Sequence, residues 1–290
     1  MKKTFRLLGV ALVATAMLFA GCNKNEEEDD DEEEISLDIS APTEVQNRNA
    51  LIEEFTGVNC GYCPDGHRMV NELMAANPGR VYAINIHTGQ YAIKYTTSFG
   101  SALANQSNIK GYPAGSVNRH VFSSYSQRSG GTAMSRDKFT AAATEIMSQP
   151  ACANIAAKAM INKSTRELTV GVAVYYTSAP TNTTNLINVA VIEDSIWGQQ
   201  SGGQTHNPTQ YDATTQKYCH THMLRHLVTE QWGDAITPVV GQQIKKEYKY
   251  TLPATISNEP VVPEHLDIIV FLTEDHQEVI NVCEAPITLN

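Results

Sequence analysis

The chain has 290 residues, 42% of them hydrophobic, and a formal net charge of −10 at pH 7. Half of that charge lies in residues 1–34, so residues 35–290 carry only −5 and contain no basic stripe, which argues against a nucleic-acid-binding protein. The roughly 250 residues of this body suffice for two domains, each with a hydrophobic core.

The first residues have the pattern of a bacterial export signal. Three basic residues precede an uncharged apolar stretch, 7–20, which is too short to cross a bilayer. Residues 19–22, Phe-Ala-Gly-Cys, resemble a lipobox, with phenylalanine where leucine is more usual. We expect a signal peptide at 1–21, acylation of Cys22, as with palmitate, and attachment to the membrane through that lipid. An ordinary cleaved signal is the alternative.

Nine consecutive acidic residues follow at 26–34. Like charges repel and nothing apolar is present to bury, so residues 22–44 are expected to form a solvated tether. Acidic runs just behind a lipidated cysteine resemble the surface-export signals of Bacteroidetes lipoproteins. That resemblance implies display on the outer face of the outer membrane, and a spacer without a targeting role is the alternative.

Two cysteines, Cys60 and Cys63, stand three positions apart at the start of a predicted helix. Unpaired N–H groups and the positive end of the helix dipole favour a thiolate on the first cysteine. Such a pair can close a redox-active disulfide, so the first candidate chemistry is thiol–disulfide exchange.

The elements around this pair alternate between strand and helix. The patterns predict strands at 51–56, 80–87 and 117–122 and helices at 65–76, 97–109 and 135–148. The first three elements form a βαβ unit with parallel strands. Pro113 follows one βα unit later, just before a predicted strand. These features resemble the thioredoxin superfamily over 45–150. The resemblance implies that Pro113 is cis and faces the cysteines, that Cys60 attacks and Cys63 resolves, and that Pro113 shapes the substrate groove.

Two residues depart from thioredoxin itself. Asn59 stands where thioredoxins carry tryptophan, and Pro64 stands where they carry lysine. Proline is acceptable there because its missing N–H would be unpaired at a helix start. No lysine or carboxylate is obviously placed to accept the proton of the second thiol. The redox potential therefore stays open, and a purely structural disulfide is the alternative.

Beyond Pro150 the pattern changes to strands only. They are predicted at 153–161, 167–177, 186–194, 244–252, 266–274 and 278–283. Short strands separated by turn signals favour an immunoglobulin-like β-sandwich over 151–290. The chain is thus predicted to be an α/β thioredoxin-like domain followed by an all-β sandwich domain, with a loop or helix segment inserted at 196–240.

The inserted segment concentrates polar side chains at 219–226, and its candidate binding residues are His220, His222, Arg225 and His226. On a helix, His222 and His226 would share one face, but no glutamate adjoins His222 as a metalloprotease requires. We favour a polar helix packed on the sandwich, with Arg225 paired to a carbonyl or carboxylate, and keep a generic metal site as the alternative.

Cys60, Cys63 and His67 form a CxxCxxxH set without an evident fourth ligand. We therefore expect no metal and no cofactor here, and we expect His67 on the helix surface, where it adds positive potential near Cys60. Among the other thiols, Cys152 begins the first sandwich strand and Cys283 lies in the last. Such strands are often neighbours, which suggests a Cys152–Cys283 disulfide and leaves Cys219 over.

Several of these motifs together resemble one family. Residues 53–57 (EEFTG), 60–64 (CGYCP), 111–113 (GYP) and 220–225, with the lipoprotein signal and the carboxy-terminal strands, resemble the outer-membrane-protein-28-related lipoproteins of Bacteroidetes. The resemblance implies a thioredoxin-like domain fused to a β-sandwich at the cell surface, with an adhesin or receptor role proposed for some members. It implies no established substrate.

Two functions follow from these observations. The leading hypothesis is an envelope-anchored thiol–disulfide oxidoreductase that acts on thiols or disulfides of envelope or surface proteins. The rival is a non-catalytic surface binding protein, or adhesin, that keeps the thioredoxin fold as a scaffold, because a fold alone does not dictate a function.

Overall fold

A computed structural model of the chain describes residues 39–290, so the predictions for the signal peptide, Cys22 and the acidic run lie outside the described residues. Those described residues belong to one compact unit, 35–290, of mixed α/β structure. Within them, no helix combines the length and apolar character needed to span a membrane.

The first part of this unit alternates between strands and helices, as predicted. Its elements are β1 (Ala50–Thr56), α1 (Cys63–Ala76), β2 (Val81–His87), α2 (Gly100–Ser107), β3 (Ala114–Val117) and α3 (Phe139–Met147), with single 3₁₀ turns at Gly89–Tyr91 and Arg136–Lys138. The strand expected at 117–122 instead ends at Val117. Asn118 and Arg119 adopt positive φ angles of 50° and 48°, which an extended strand does not accommodate.

The second part consists mainly of strands. In chain order they are β4 (Ala153–Asn162), β5 (Glu167–Tyr176), β6 (Asn185–Glu193), β7 (Ile196–Gly198), β8 (Tyr211–Asp212), β9 (Lys217–His220), β10 (Met223–Leu227), β11 (Asp234–Ile236), β12 (Gln243–Thr251), β13 (Thr255–Ile256), β14 (Glu259–Pro260), β15 (Leu266–Glu274), β16 (Val279–Ala285) and β17 (Ile287–Leu289). A one-turn helix, α4 (Gly203–His206), and 3₁₀ turns at Pro208–Gln210 and Pro263–His265 interrupt them.

One sheet runs through both parts in the order β16-β15-β6-β10-β2-β1-β3, and β11 also pairs with β6. β1 and β2 are parallel from Ala50↔Val81 to Thr56↔His87, which confirms the βαβ unit. β10 pairs in parallel with β2 on one side and antiparallel with β6 on the other. The sheet therefore crosses the predicted boundary at residue 150, and the division into 45–150 and 151–290 stays a prediction.

The helix expected around residues 219–226 is wrong. Residues 217–220 form β9 and residues 223–227 form β10, with His222 at a positive φ of 53° between them. Met223, Leu224 and Leu227 are buried. β10 lies between two other strands in a sheet whose faces are both covered, so apolar residues can occupy consecutive positions along it. Such a short apolar run does not show the period of a helix.

A second sheet, in the order β12-β5-β4-β17, packs against the first. Val170 and Val172 of β5 share a hydrophobic core with Val189 and Val191 of β6 and Val270 of β15. Burial of this apolar area is the main force that holds the two sheets together.

The predicted Cys152–Cys283 disulfide is wrong, because Cys152, Cys219 and Cys283 are all free thiols in this structure. The physical reason is the position of Cys283 along its strand: β16 contacts the start of β4 where Asn281 Nδ2 donates to the Ala153 carbonyl at 3.1 Å, and Cys283 lies two residues further on. β4 pairs with β17, along Ala159–Ile161, and not with β16. Cys283 instead lies opposite Val270 in the large sheet. Burial raises the pKa of the Cys283 thiol to about 12, which keeps it protonated and unreactive.

Candidate redox site

The two cysteines of the CxxC motif meet at the start of α1. Their sulfur atoms are at disulfide distance, 2.13 Å, and their Cα atoms are 5.4 Å apart. Cys63 opens the helix and Pro64 follows it, in a turn where backbone N–H groups have no helical partner. The residues are 5% and 0% exposed respectively. The local sequence thus produces the predicted arrangement, but with little of either cysteine in contact with solvent.

Pro113 lies against the same helix. The Tyr112–Pro113 peptide bond is cis, as predicted, and Pro113 is buried. An added Cβ on Gly66, in the first turn of α1, would stand 3.4 Å from the Pro113 Cβ. The structure therefore brings the proline and the cysteine-bearing helix together.

Glu54 is the residue of this site that sequence reasoning missed. It is fully buried in β1, and neither carboxyl oxygen has a hydrogen-bond partner within residues 39–290. A Cβ on Gly66 would collide with its Oε1 atom, so the carboxyl group lies against the first turn of α1, beside the Cys63 end. Burial, partly opposed by the nearby Arg136, raises the pKa of Glu54 well above its usual value.

The neighbouring Glu53 is also buried but, unlike Glu54, it is paired. Its two oxygens accept hydrogen bonds from Nε and Nη2 of Arg119 at 2.8 and 2.7 Å, and both side chains are almost fully buried. Successive side chains of a strand point to opposite faces, so Glu53 and Glu54 lie on different sides of β1. The sequence signal that could have indicated Glu54 is this pair of adjacent acids in an otherwise apolar strand. Because both faces of β1 are covered, both acids are buried.

The expectation that His67 lies on the surface of α1 is wrong. It is buried, its Nε2 lies 3.0 Å from Thr56 Oγ1, and its Nδ1 lies 2.9 Å from the Tyr218 hydroxyl of β9. Burial lowers the pKa of His67 to about 3, so the ring is neutral and adds no positive potential near Cys60. The cause is the strand region after residue 196, which covers α1.

The four candidate binding residues contact different neighbours. His220 is buried, with its ring 5.3 Å from His87 and 5.0 Å from Tyr95. His222 Nδ1 lies 3.5 Å from an Asp194 oxygen, and the His226 ring stacks on Tyr250 at 4.1 Å. Arg225 forms a buried ion pair with Glu193 at 2.9 Å, as the predicted carboxylate pairing requires.

These residues therefore do not converge on one site. Residues 39–290 contain no group of three or more His, Cys, Asp or Glu side chains arranged to hold a metal ion.

Residues 199–206, called the strap below, cover the loop that carries the cysteines. The Ser201 N–H donates to the Val58 carbonyl at 2.8 Å. The Gln200 side-chain amide donates to the carbonyls of Gly57 and Cys60 at 3.3 and 3.1 Å. The result is a contact between the CxxC loop and a segment about 140 residues later.

A cavity of about 320 Å³ lies beside Tyr112, the residue before Pro113. It is lined by α2 and its following loop and includes Lys110 and Arg128 but no carboxylate. Cys60, Cys63 and Pro113 are not among its lining residues, so the cavity adjoins the residue before the cis proline and not the disulfide itself.

The family model described as Outer membrane protein Omp28 matches residues 100–290. The chain belongs to the Omp28 family. This family consists of outer membrane lipoproteins, so membership confirms the localisation that the amino-terminal residues predict, an outer-membrane lipoprotein. It also confirms the family resemblance seen in the motifs.

Two solved structures share the fold of this Omp28-family chain. HBP35 of Porphyromonas gingivalis aligns with a TM-score of 0.63 at 16% identity, over 84% of this chain and 78% of HBP35. Protein AGR_C_4864 from Agrobacterium tumefaciens aligns with a TM-score of 0.50 at 8% identity, over 83% and 95% of the two chains. A domain of the outer membrane lipoprotein Omp28 from P. gingivalis is 20% identical over 48% of this chain and 91% of that domain, with a TM-score of 0.33. No curated protein matches the chain.

Proposed function

We propose that this Omp28-family lipoprotein is a thioredoxin-like oxidoreductase that exchanges disulfides with envelope or surface proteins. The observation that carries the proposal is Glu54 of β1, whose buried carboxyl group has no hydrogen-bond partner within residues 39–290 and lies against the first turn of α1, which begins at Cys63 and also faces Pro113. Leaving such a group unpaired destabilises a fold by about 1–3 kcal/mol. A disulfide with a purely structural role has no use for it, whereas a redox pair needs a proton acceptor.

The reaction follows from these positions. In the reduced protein the Cys60 thiolate attacks a disulfide of the partner, breaks its S–S bond and forms a mixed disulfide, and the partner's other sulfur leaves as a thiolate. Cys63 then loses its proton to Glu54, directly or through one water, and attacks the Cys60 sulfur. The partner leaves as a dithiol, two electrons richer, because one of its sulfurs takes the proton from Glu54 and the other takes a proton from solvent, and Cys60–Cys63 is oxidised. The reverse sequence oxidises a partner.

The finer architecture belongs to the same proposal. A thioredoxin-like part, 45–150, is supported by the βαβ unit and by the position of Pro113, and an immunoglobulin-like sandwich, 151–290, is supported by the two packed sheets. A lipid on Cys22 holds this body at the membrane, and the acidic run at 26–34 accompanies display on the cell surface.

The reduction potential of Cys60–Cys63 tests this function first. The full-length protein is equilibrated with glutathione buffers and its free thiols are counted. A potential between about −120 and −270 mV is expected, the range of known exchange proteins. A value below about −300 mV marks a structural disulfide and contradicts the proposal.

Trapping identifies the partners. A Cys63→Ser variant cannot resolve the mixed disulfide, so it should accumulate covalent complexes with envelope proteins, while a Cys60→Ser, Cys63→Ser double variant should form none. A Cys63→Ser variant that traps nothing in cells contradicts exchange.

A specific observation favours the rival function, because Cys60 is buried beneath the strap. A non-catalytic surface binding protein would keep its ligand when both cysteines become serine, whereas an oxidoreductase would lose its covalent partners.

A further inference from the structure

We infer that the strap, residues 199–206, determines which thiols and disulfides reach Cys60. The inference rests on the proposed function for its biological meaning, but access to the sulfur is a physical property that can be measured separately. The strap is Gln-Gln-Ser-Gly-Gly-Gln-Thr-His and includes α4.

The strap occupies the backbone acceptors around the redox pair. Its hydrogen bonds use the carbonyl groups of Gly57, Val58 and Cys60. An incoming polypeptide that places a cysteine against Cys60 needs this same surface, because backbone hydrogen bonds are what align an extended segment. The strap therefore behaves as an intramolecular occupant of the partner-binding surface.

The fit between the strap and the loop depends on Gly202. This residue has a φ of +73°, and an added Cβ would collide with the Gly61 carbonyl oxygen. At the end of the strap the His206 ring lies 4.9 Å from the ring of Tyr62, the residue that precedes Cys63 in the sequence. The strap thus contacts the cysteine loop from Gly57 to Tyr62, through both backbone and side-chain atoms.

The strap is suited to open without unfolding the protein. It has no apolar side chain, so hydrogen bonds and close packing hold it in place. Segments with few buried apolar contacts open locally at a small fraction of the global free energy of unfolding. Partners able to replace its hydrogen bonds, extended segments with free backbone N–H groups, should gain access, and compact folded surfaces should not.

A single methyl group tests this directly. Gly202→Ala should push the strap away from Gly61, and Gly130→Ala is the matched control because Gly130 has the same φ of +73° and open space at its Cβ. The measurement is the rate at which dithiothreitol reduces the disulfide. One thiolate of dithiothreitol attacks Cys60, Cys63 leaves as a thiolate, and the second thiol of the reagent releases Cys60.

We expect reduction of Gly202→Ala to be about tenfold faster than that of the wild-type protein, with Gly130→Ala unchanged. Equal rates for Gly202→Ala and Gly130→Ala would overturn the inference. The rate for a short cysteine-containing peptide should rise by at least as much as the dithiothreitol rate, since the strap blocks its backbone contacts as well as the sulfur. A peptide rate that stays at the wild-type value also contradicts the inference.

A second pair of variants guards against misfolding of Gly202→Ala. Gln200→Ala removes the hydrogen bonds to Gly57 and Cys60, and Gln204→Ala alters an exposed strap residue. Only Gln200→Ala should accelerate reduction. These rates report access alone, while the reduction potential reports whether the pair is redox-active, so either idea can fail without the other.

Discussion

At the scale of single residues, β1 carries two adjacent carboxyl groups with opposite surroundings. Glu53 is held by a two-point contact with Arg119, whereas Glu54 faces α1 with no partner in the described chain. Because an unpaired buried acid is stabilised in its protonated form, Glu54 can store and return a proton next to the Cys63 end of the helix. The redox chemistry proposed above depends on this difference.

We predict that Glu54→Gln stabilises the oxidised protein at alkaline pH. Burial raises the pKa of Glu54 in the folded protein. The contribution of its protonated carboxyl group to the free energy of unfolding is therefore complete below the pKa of the unfolded chain, about 4.3, and is lost as pH rises through the pKa of the folded protein. The free energy of unfolding of the variant should equal that of the wild-type protein at pH 4. At alkaline pH it should be higher by roughly 1 kcal/mol for each unit by which folding raises the pKa of Glu54. Urea unfolding at pH 4, 6 and 8 measures this difference.

The same variant should slow disulfide exchange, because Cys63 loses its proton acceptor. Glu72→Gln on the exposed side of α1 is the control and should alter neither quantity. A wild-type exchange rate in Glu54→Gln would remove Glu54 from the mechanism.

At the scale of elements, β10 joins the two parts of the chain. It is flanked by β2 and β6, and Arg225 at its centre pairs with Glu193 of β6. That contact is close at 2.9 Å, although the Nε–H direction departs from hydrogen-bond geometry. The Arg225 Nη2 also donates to the Glu259 carbonyl, and Glu193 Oε1 accepts from the Val262 N–H. The ion pair thus fixes the segment around β14 to the large sheet.

We predict that Arg225→Ala lowers the free energy of unfolding by about 3–5 kcal/mol, because it leaves the Glu193 carboxylate buried and uncompensated. Lys246→Ala is the control: it breaks an exposed contact with Asp234 and should cost about 0–1 kcal/mol. Denaturant unfolding compares the two. Similar losses of unfolding free energy in both variants would show that the buried ion pair contributes no more to stability than the exposed one.

At the scale of the whole molecule, the large sheet and the hydrophobic clusters join residues before position 150 to residues after it, although the sequence pattern divides the chain there. Leu51 and Ile84 of the first part belong to one hydrophobic cluster with Ala190, Leu224 and Phe271 of the second. The strap adds a polar contact between the same parts at the redox pair. Access to the cysteines is therefore linked to the second part of the chain.

We predict that the fragment 45–150 does not fold cooperatively by itself. Without β10 the edge of β2 is unpaired, and the apolar face of the shared cluster is exposed to water. Thermal unfolding followed by circular dichroism, with the 35–290 unit as control, measures this. A sharp transition in the fragment would establish an independent thioredoxin-like domain with a boundary near residue 150.

Patterns of a few neighbouring residues in the sequence determined several local features of this protein. The strand and helix around Cys60 and Cys63 and the parallel pairing of β1 and β2 follow from hydrophobic period and residue spacing, which act over a few residues. The cis bond before Pro113 is expected from the resemblance to the thioredoxin superfamily. The predicted lipoprotein signal and the family motifs are likewise contiguous, so the outer-membrane localisation could be predicted.

Only the tertiary structure decided the surroundings of the site. The burial of His67 requires Tyr218, which is 151 residues away in the chain, and the cover over Cys60 requires Gln200, 140 residues away. The partner of β4, the missing Cys152–Cys283 bond and the isolation of Glu54 depend on which strands and faces meet. No local periodicity encodes those encounters, because the free energy that selects them comes from burying distant segments against one another.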